Sequence, residues 1–459
     1  MKLKLICLCV TVALLCGCLT VAINGKEETT MVYSQIESEQ LYSFMNCDTG
    51  RVIRSGSVEY FKLVAADDSG EVFYLTDADS GETYSIDNKT LKTGAIKQKL
   101  KIRHVGQNRF TVQLLNGTFI KDDDSGDTND AALANDANGK TIENYWYLTK
   151  QGQHPPVKMM PIGDSLTNGE DADIPAEQRC GYRALLSSKI AESNENLRIV
   201  FVGSQKSGGV AYGNSMSLYR HEGHNGYVIN DIYNISPHYG IYQYMTPWLT
   251  KYQPDVFFVM LGTNDIGLTW QKGELSDLDP IAANWELLIK TFLEVIPEGG
   301  MVVAGAVPPI RNSEVYNSWA KKFNSMIFPK VSTLSSDEKE VVFADIHRAI
   351  LDNGLSTSFC SDGGHFNSSG YTAVANRFFD AFIHSDTYTA LCENIEKDRL
   401  ADEGTAVGTD TAVTSEAVTN DVNDTSTGSS ILRILIPVAV GIAVAAVAGI
   451  VLFKKKKGR

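Results

Sequence analysis

Residues 157–167 read VKMMPIGDSLT, and this stretch decides the fold of the larger domain. Its first six residues form an almost unbroken apolar run, followed at once by Gly163, Asp164 and Ser165. A short apolar run without polar alternation is typical of a strand buried on both faces of a parallel sheet. Gly and Asp then favour a turn. The stretch therefore predicts a strand whose carboxyl end presents the hydroxyl of Ser165 at the start of a helix.

The same alternation of strand and helix continues downstream. Strands are predicted at residues 197–202, 256–261, 301–307 and 341–346, and helices at residues 183–190, 280–295, 313–328 and 371–383. Alternating strands and helices build a parallel sheet with helices on both faces. We therefore predict an α/β three-layer sandwich over residues 154–388. Ligands of such sheets bind beyond the carboxyl ends of the strands.

Residues 33–150 have a different pattern, with short apolar runs between Gly, Asp and Asn turns. Runs rich in β-branched and aromatic residues at 60–64, 71–75 and 109–115 predict an all-β module. Three loosely similar stretches (41–75, 83–112 and 110–148) follow one another, and the last resembles a lobe of a ricin-type β-trefoil. The module is predicted to be a β-trefoil or another β-sandwich or barrel. It serves either as a carbohydrate-binding unit or as a spacer.

The N-terminal end has the pattern of a targeting segment. Residues 1–22 start with Lys2 and Lys4 and continue as an apolar run, which is typical of a secretory signal peptide. The box Leu15-Cys16-Gly17-Cys18 offers an alternative, a lipoprotein signal with Cys18 as the lipidated residue. Either signal predicts export from the cytoplasm.

The C-terminal end has the pattern of a membrane anchor. Residues 434–453 are 20 uncharged, mainly apolar residues, and a helix of this length spans a hydrocarbon core of about 30 Å. The basic residues 454–459 are predicted to stay in the cytoplasm. Residues 396–430 contain no aromatic residue and are predicted to be a disordered stalk. The sequence thus predicts a single-pass cell-surface protein with an extracellular catalytic domain.

Charge and cysteine usage narrow the possible partners. The chain has 41 Lys and Arg against 55 Asp and Glu, a formal net charge of −14. A nucleic-acid-binding protein needs a basic surface, so no nucleic-acid partner is predicted. Four of the eight cysteines fall within the signal, which leaves Cys47, Cys180, Cys360 and Cys392. Disulfides are allowed outside the cell, and the sequence leaves all three full pairings open.

Three short motifs occur at the ends of predicted elements of the α/β domain. They are GDS at residues 163–165, GTND at residues 262–265, directly after the strand 256–261, and DGGH at residues 362–365, just before the last helix. Ser165 supplies a hydroxyl, and the Asn264 amide can donate to a developing anion. Asp362 and His365 are three residues apart, so the carboxylate can orient the imidazole. Together these are the parts of acyl transfer.

These motifs, in this order, resemble those of the GDSL/SGNH hydrolases, and within them the acetylxylan-esterase group, carbohydrate esterase family three. Further shared segments are GYR at residues 181–183, FVGS at 201–204 and HEGHNG at 221–226. The resemblance covers residues 155–385. It departs from the family at Phe366, where the family often has Pro after the His, and this change predicts an altered loop.

The resemblance implies a role for each motif residue. Ser165 would be the nucleophile, His365 the general base and Asp362 its support. The oxyanion would be held by the Ser165 backbone N–H, the Asn264 side chain and the N–H of a glycine. That glycine is Gly226, with Gly203 as the alternative.

The predicted function is therefore that of a serine esterase that removes O-acetyl groups from carbohydrate without a cofactor or metal. The alternatives are a lipid esterase or thioesterase of the same superfamily, and a glycan-binding adhesin with a vestigial hydrolase domain. Trp270, Tyr212 and His224 are predicted to contact substrate, and Asp164 is predicted to be a turn or cap residue. A metal site at His221, Glu222 and His224 is disfavoured because their close spacing on a predicted loop lacks a helical i, i+4 arrangement.

Overall fold

The structure is a computed structural model that describes residues 35–87, 89–94, 96–208, 220–231, 239–271, 277–353 and 359–408. The predicted signal peptide (1–22), the stalk beyond residue 408, the membrane segment (434–453), the basic tail (454–459) and Tyr212 lie outside the described residues. Among the described residues, no helix combines the length and apolar character needed to cross a membrane.

Ten strands precede residue 151 in the described part of the chain. They are β1 (Gln40–Asn46), β2 (Phe61–Ala65), β3 (Val72–Thr76), β4 (Tyr84–Asp87), β5 (Thr90–Thr93), β6 (Lys99–Gly106), β7 (Arg109–Leu114), β8 (Phe119–Asp122), β9 (Leu133–Asp136) and β10 (Tyr145–Lys150). Six of them pair antiparallel in the ring β1-β2-β3-β6-β7-β10, and β10 closes the ring on β1. The all-β prediction is confirmed, and the closed ring makes the module a barrel.

The barrel interior is filled by alternate side chains of its strands. Phe44, Phe61, Phe110 and Trp146 are all at most 1% exposed and belong to one apolar cluster. The indole N–H of Trp146 donates to the carbonyl oxygen of Ile120 at 3.0 Å, so the one polar atom of this side chain is satisfied. A closed barrel leaves few unpaired strand edges.

A second sheet forms the centre of the α/β domain. Its strands are β11 (Val157–Gly163), β12 (Ile199–Phe201), β13 (Gln205–Lys206), β14 (Arg220–Gly223), β15 (Val256–Met260), β16 (Met301–Gly305) and β17 (Glu340–Ala344). The order is β13-β14-β11-β15-β16-β17, with β12 also paired to β11, and the pairings other than β13–β14 are parallel. The chain leaves β11 towards β12 and later returns to the opposite side of β11 as β15. This reversal is a topological switch point, where parallel sheets bind ligands.

Helices cover both faces of this sheet, as predicted. The helices are α1 (Ser165–Asn168), α2 (Arg183–Ser193), α3 (Ile241–Tyr252), α4 (Thr263–Gln271), α5 (Asp279–Val295), α6 (Glu314–Leu334), α7 (Ile346–Asn353), α8 (Ser368–Ile383) and α9 (Asp386–Gly408). One core cluster joins α3, α5 and α6 to one side of β15, through Phe257 and Val259. A second joins α2, α7 and α8 to the other side, through Phe258 and Met260. Alternate side chains of one strand thus serve two cores.

Two predictions about secondary structure were wrong. The predicted stalk starts at residue 396, but α9 continues to Gly408. Leu391 and Ile395 of this helix are buried, and the Asp398 carboxylate accepts a hydrogen bond from the His154 backbone N–H at 2.6 Å. Residues 221–223 are not a loop but part of β14, all of whose residues are buried. Both errors arose because polar residues in these segments find partners far away in the sequence.

The barrel and the α/β domain are in direct contact. Met45 and Val52 of the barrel belong to the same apolar cluster as the helices on one face of the α/β sheet. Arg220 on β14 has a fully buried side chain that donates to Asp48 of the barrel at 2.6 Å and to Asp124 at 2.9 Å. The barrel is therefore part of the packing around β14.

Candidate active site

Ser165 lies where the sequence predicts it, at the first position of a helix directly beyond β11. The Asp164 carboxylate caps this helix by accepting a hydrogen bond from the Leu166 N–H at 3.0 Å, which confirms its predicted role as a cap. At the end of β11, a Cβ at Gly163 would collide with the carbonyl oxygen of Met260 on β15. Only glycine allows the two strands to approach so closely at the point where Ser165 follows.

His365 and Asp362 meet Ser165 at this edge of the sheet. His365 Nε2 lies 2.9 Å from Ser165 Oγ, and His365 Nδ1 lies 2.8 Å from the Asp362 carboxylate. An ionised carboxylate only accepts hydrogen bonds, so Nδ1 carries the proton and, in the neutral ring, the lone pair of Nε2 faces the serine hydroxyl. The contacts thus form a continuous line from carboxylate to hydroxyl across two hundred positions of sequence.

The Asp362 carboxylate is held by its own turn. Its Oδ1 accepts backbone N–H bonds from Gly364 and His365, both at 2.7 Å. Partial burial raises the pKa of this carboxyl, but the hydrogen bonds from the His365 ring and from the two N–H groups outweigh it, so the pKa lies below its ordinary value. Asp362 therefore remains ionised at neutral pH, as a group that orients and stabilises an imidazolium must.

Phe366 anchors the turn after His365. Its side chain is fully buried and packs edge-to-face on Tyr371, with ring centroids 5.8 Å apart. Asn367 then caps α8, its side-chain oxygen accepting bonds from the N–H groups of Ser369 and Gly370. The predicted departure from the family pattern at Phe366 thus puts an apolar anchor where Pro would stiffen the loop.

The GTND motif holds a neighbouring loop in place. Asn264 Nδ2 donates to the Tyr227 carbonyl oxygen at 2.9 Å. The Asp265 carboxylate, which the sequence reading left without a role, accepts the Ile229 N–H at 3.1 and 3.2 Å. Burial raises the pKa of Asp265 to about 7. The two side chains therefore hold this loop at Tyr227 and at Ile229.

The two candidate oxyanion glycines differ in their surroundings. Gly226 has a positive φ of 78° in a turn closed by a hydrogen bond from the Tyr227 N–H to the His224 carbonyl. The His224 N–H donates to the Gly163 carbonyl at 3.0 Å, so this turn is attached to the end of β11 beside Ser165. Gly203 packs against the backbone of His221, and its carbonyl accepts from Arg220. These contacts favour Gly226.

The histidines of β14 and its loop have protein partners. His221 Nδ1 accepts the Gly223 N–H at 2.9 Å, Nε2 lies 2.8 Å from Ser207 Oγ, and burial lowers the pKa of this ring well below its usual value. His224 Nε2 lies 2.8 Å from the buried Glu222 carboxylate. Within the described ranges no set of three or more His, Cys, Asp or Glu side chains is grouped as metal ligands would be.

His224, which is predicted to contact substrate, belongs to an aromatic cluster that the sequence did not predict. Its ring stacks between Tyr227 and Trp248, at centroid distances of 4.7 and 4.6 Å. Tyr239 and Tyr244 continue the cluster through Tyr227, with ring centroids 5.8 and 6.1 Å from the Tyr227 ring. No sequence period links these residues, so only the fold brings them together.

Two predicted substrate-contacting residues and the four cysteines outside the predicted signal remain to be placed. Trp270 lies on α4, but its side chain, like all of Tyr212, is outside the described part of the chain. Cys47, Cys180, Cys360 and Cys392 are free thiols, so none of the three pairings that the sequence left open is formed.

Asp164, the cap residue directly before Ser165, is a buried polar group. Burial raises the pKa of Asp164 to about 6, and one oxygen of this carboxylate has no hydrogen-bond partner of its own. The Tyr316 hydroxyl is also buried, and the negative charges of Asp164 and Asp265 add to burial in raising its pKa. The cap of α1 thus lies among other buried polar groups.

A serine, a histidine and a carboxylate aligned at the switch point of a parallel α/β sheet define a hydrolase of the acyl-transfer class. Residues 159–378 match the family described as GDSL-like Lipase/Acylhydrolase. This part of the chain is a GDSL/SGNH acylhydrolase domain, as the motifs predict.

Individual relatives match about half of the chain. The chain is 28% identical over 234 residues to a multidomain esterase of Ruminococcus flavefaciens; the match covers 49% of this chain but only 28% of that protein's length. Among solved structures, it is similar to a family 3 carbohydrate esterase of Clostridium thermocellum (26% identity, TM-score 0.40, 52% of this chain and 99% of that one). A carbohydrate esterase family 3 protein of Talaromyces cellulolyticus is also similar (25% identity, TM-score 0.39, 50% and 96%).

Proposed function

We propose that this protein is a serine esterase that removes small acyl groups, foremost O-acetyl, from carbohydrate outside the cell. The observation that carries the proposal is the line of contacts from Asp362 through His365 to Ser165, with distances of 2.8 and 2.9 Å. Each contact lies within the range needed for proton transfer between a base and a nucleophile.

In the proposed reaction, Ser165 Oγ attacks the ester carbonyl carbon while His365 Nε2 takes the hydroxyl proton. Asp362 stabilises the imidazolium that results. The Ser165 N–H, the Gly226 N–H and the Asn264 amide hold the oxygen of the tetrahedral intermediate. The intermediate collapses when the sugar oxygen leaves with the proton from His365. Water, deprotonated by the same ring, then releases the acid from Ser165.

Two observations favour a carbohydrate over a lipid substrate. The motifs around Ser165, Asn264 and His365 resemble those of carbohydrate esterase family three, and the loop held by Asn264 leads directly to a cluster of tyrosine rings. A lipid esterase or thioesterase would instead need an apolar groove for a long acyl chain.

The proposed place of action rests on the two ends of the chain. A signal peptide at residues 1–22 would direct export of the chain. A membrane anchor at residues 434–453 would then hold the enzyme at the cell surface. Substrate would then be polysaccharide or glycan in the surrounding medium.

We also propose that the barrel is a β-trefoil. The ring consists of three strand pairs, and a short pairing lies between the two strands of each pair along the chain. The Ser55–Val58 bridge lies between β1 and β2, the hairpin β4–β5 between β3 and β6, and the hairpin β8–β9 between β7 and β10. Three such units closing one six-stranded ring support the resemblance of residues 110–148 to a trefoil lobe. Sugar binding by the barrel remains a separate prediction.

The direct test measures acetate release by the purified protein from acetylated xylan, pectin, chitin-type and sialylated glycans. Hydrolysis of p-nitrophenyl acetate and of a long-chain p-nitrophenyl ester is measured in parallel, with Ser165→Ala as the inactive control. Acetate release from at least one glycan supports the proposal. A clear preference for the long-chain ester without acetate release would favour the lipid esterase.

The adhesin alternative predicts that Ser165 does not react. A serine-directed fluorophosphonate should label the wild-type protein at Ser165 and leave Ser165→Ala unlabelled. A correctly folded but unlabelled wild-type protein would instead support a binding protein with a vestigial hydrolase domain.

A further inference from the structure

Two tyrosines next to the candidate site expose much of their rings. Tyr239 is 42% exposed and Tyr244 is 44% exposed. The two rings meet edge-to-face with centroids 5.6 Å apart at an angle of 83°, and both contact Tyr227. We call these three rings, Tyr227, Tyr239 and Tyr244, the tyrosine platform. Adjacent exposed aromatic side chains on a soluble domain indicate a binding surface.

The backbone beneath the platform is well anchored. The Val228 N–H donates to the Tyr239 carbonyl at 2.9 Å, and the Ile241 N–H donates back to the Val228 carbonyl at 2.9 Å. Gly240 lies between Tyr239 and Ile241 in sequence, and its backbone packs closely against Asp231. Only glycine fits there, because a Cβ would collide with the Asp231 backbone nitrogen. Tyr244 lies on the first turns of α3. A platform mounted in this way needs little ordering when a ligand binds.

The platform is joined to the catalytic residues by short connections. Tyr227 follows Gly226 directly, and its carbonyl accepts the hydrogen bond from Asn264. The His224 ring stacks on the Tyr227 ring, while the His224 N–H donates to the Gly163 carbonyl at the end of β11. The rings therefore begin one residue away from the candidate oxyanion glycine.

Tyrosine rings have apolar faces and a polar hydroxyl at one end. A pyranose ring has the matching chemistry, with C–H groups on its faces and hydroxyls around its edge. A long acyl chain offers no hydrogen-bonding group to the tyrosine hydroxyls. The platform therefore fits a neutral sugar ring better than a lipid.

We propose that the tyrosine platform is a subsite that stacks a sugar ring of the substrate beside the unit carrying the ester. This inference rests on the proposed function and specifies it: the substrate is an acylated oligosaccharide or polysaccharide of at least two sugar units. Binding energy from this second ring would position the ester at Ser165.

The test compares two substrates in wild type, Tyr239→Ala, Tyr244→Ala and the double variant. The substrates are p-nitrophenyl acetate and an acetylated oligosaccharide that the wild type hydrolyses. Loss of one aromatic stacking contact corresponds to about tenfold. The double variant should therefore raise KM for the oligosaccharide at least tenfold more than KM for the aryl ester, and Tyr→Trp variants should restore most of the difference.

Phe328→Ala is the matched control. Phe328 is 59% exposed and packs on Phe343 of β17, at the opposite end of the sheet from β14. Its removal should leave the ratio of the two KM values unchanged.

Three results would overturn the subsite. Equal losses on both substrates, or an unchanged oligosaccharide KM in the double variant, would remove the platform from substrate binding while leaving the esterase assignment intact. A wild-type protein that hydrolyses p-nitrophenyl acetate but no acetylated sugar would overturn both the subsite and the proposed substrate.

Discussion

Arg220 and Asp48 form an ion pair of 2.6 Å in which both side chains are completely buried, although they are 172 positions apart. Asp48 follows the first strand of the barrel, whereas Arg220 begins β14, the strand that leads to Gly226. Burial lowers the pKa of the Arg220 guanidinium, but Asp48 and Asp124 outweigh this and hold it well above its ordinary value. Two carboxylates of the barrel, Asp48 and Asp124, thus stabilise the buried positive charge of Arg220 in the α/β domain.

Removing Asp48 should strongly destabilise the protein. Asp48→Ala leaves the Arg220 charge buried with one partner fewer, and breaking a buried pair in this way costs about 3–5 kcal/mol. We expect a lower midpoint of chemical denaturation, with the free energy of unfolding reduced by that amount. As a control, Lys290→Ala removes an exposed pair with Glu286 and should change the free energy by less than about 1 kcal/mol. Equal small effects of both variants would show that the buried pair is not required.

The Asp362 carboxylate should be needed for turnover more than for folding. Asp362→Asn retains the shape of the side chain but removes the charge that selects the His365 tautomer. By analogy with triad enzymes, we expect kcat to fall about 10⁴-fold. Steady-state kinetics on p-nitrophenyl acetate provide the measurement, and circular dichroism checks the fold. A loss of less than tenfold would exclude Asp362 as the orienting group.

Asn264 should contribute to stabilising the transition state. Asn264→Ala removes the proposed oxyanion donor and also the hydrogen bond to the Tyr227 carbonyl. One such donor is worth about 10²–10³-fold in kcat, whereas a lost neutral hydrogen bond costs only about 1 kcal/mol of stability. The variant should therefore stay folded and lose activity mainly in kcat. Near-wild-type turnover would remove Asn264 from the mechanism.

Asp265 should make stability depend on pH. Burial raises its pKa from an ordinary value of 3.8 to about 7. Between these two values the folded state holds a proton that the unfolded state has lost, so stability relative to Asp265→Asn falls as pH rises and levels off above about 7. Urea unfolding of both proteins at pH 5 and pH 8 measures the difference. A difference that is the same at both pH values, or larger in favour of wild type at pH 8, would contradict the raised pKa.

Much of the α/β domain could be predicted from local pattern. The strand that ends at Gly163 and the strand that starts at Val256 are apolar on both faces, so their burial is encoded in consecutive residues. Because parallel strands end at one edge, the pattern also placed Ser165 and Asn264 on the same side of the sheet. These predictions depend only on hydrophobic burial and backbone geometry.

Burial of polar segments could not be predicted in the same way. Strand β14 contains three consecutive polar residues, Arg220, His221 and Glu222, and all three are fully buried. Their burial is compensated by Asp48, Ser207 and Ser204, which lie elsewhere in the chain. The helical continuation of residues 396–408 escaped prediction for the same reason.

The sequence by itself determined the class of fold and pointed to the candidate nucleophile and its candidate base, because those depend on short apolar runs and on motifs at their ends. The tertiary structure alone decided that the barrel supplies counter-charges to β14 and that three tyrosines form one surface beside Gly226. The physical reason is that a buried charge or a shared aromatic face is stabilised by distant partners, and no local pattern of residues records where those partners will lie.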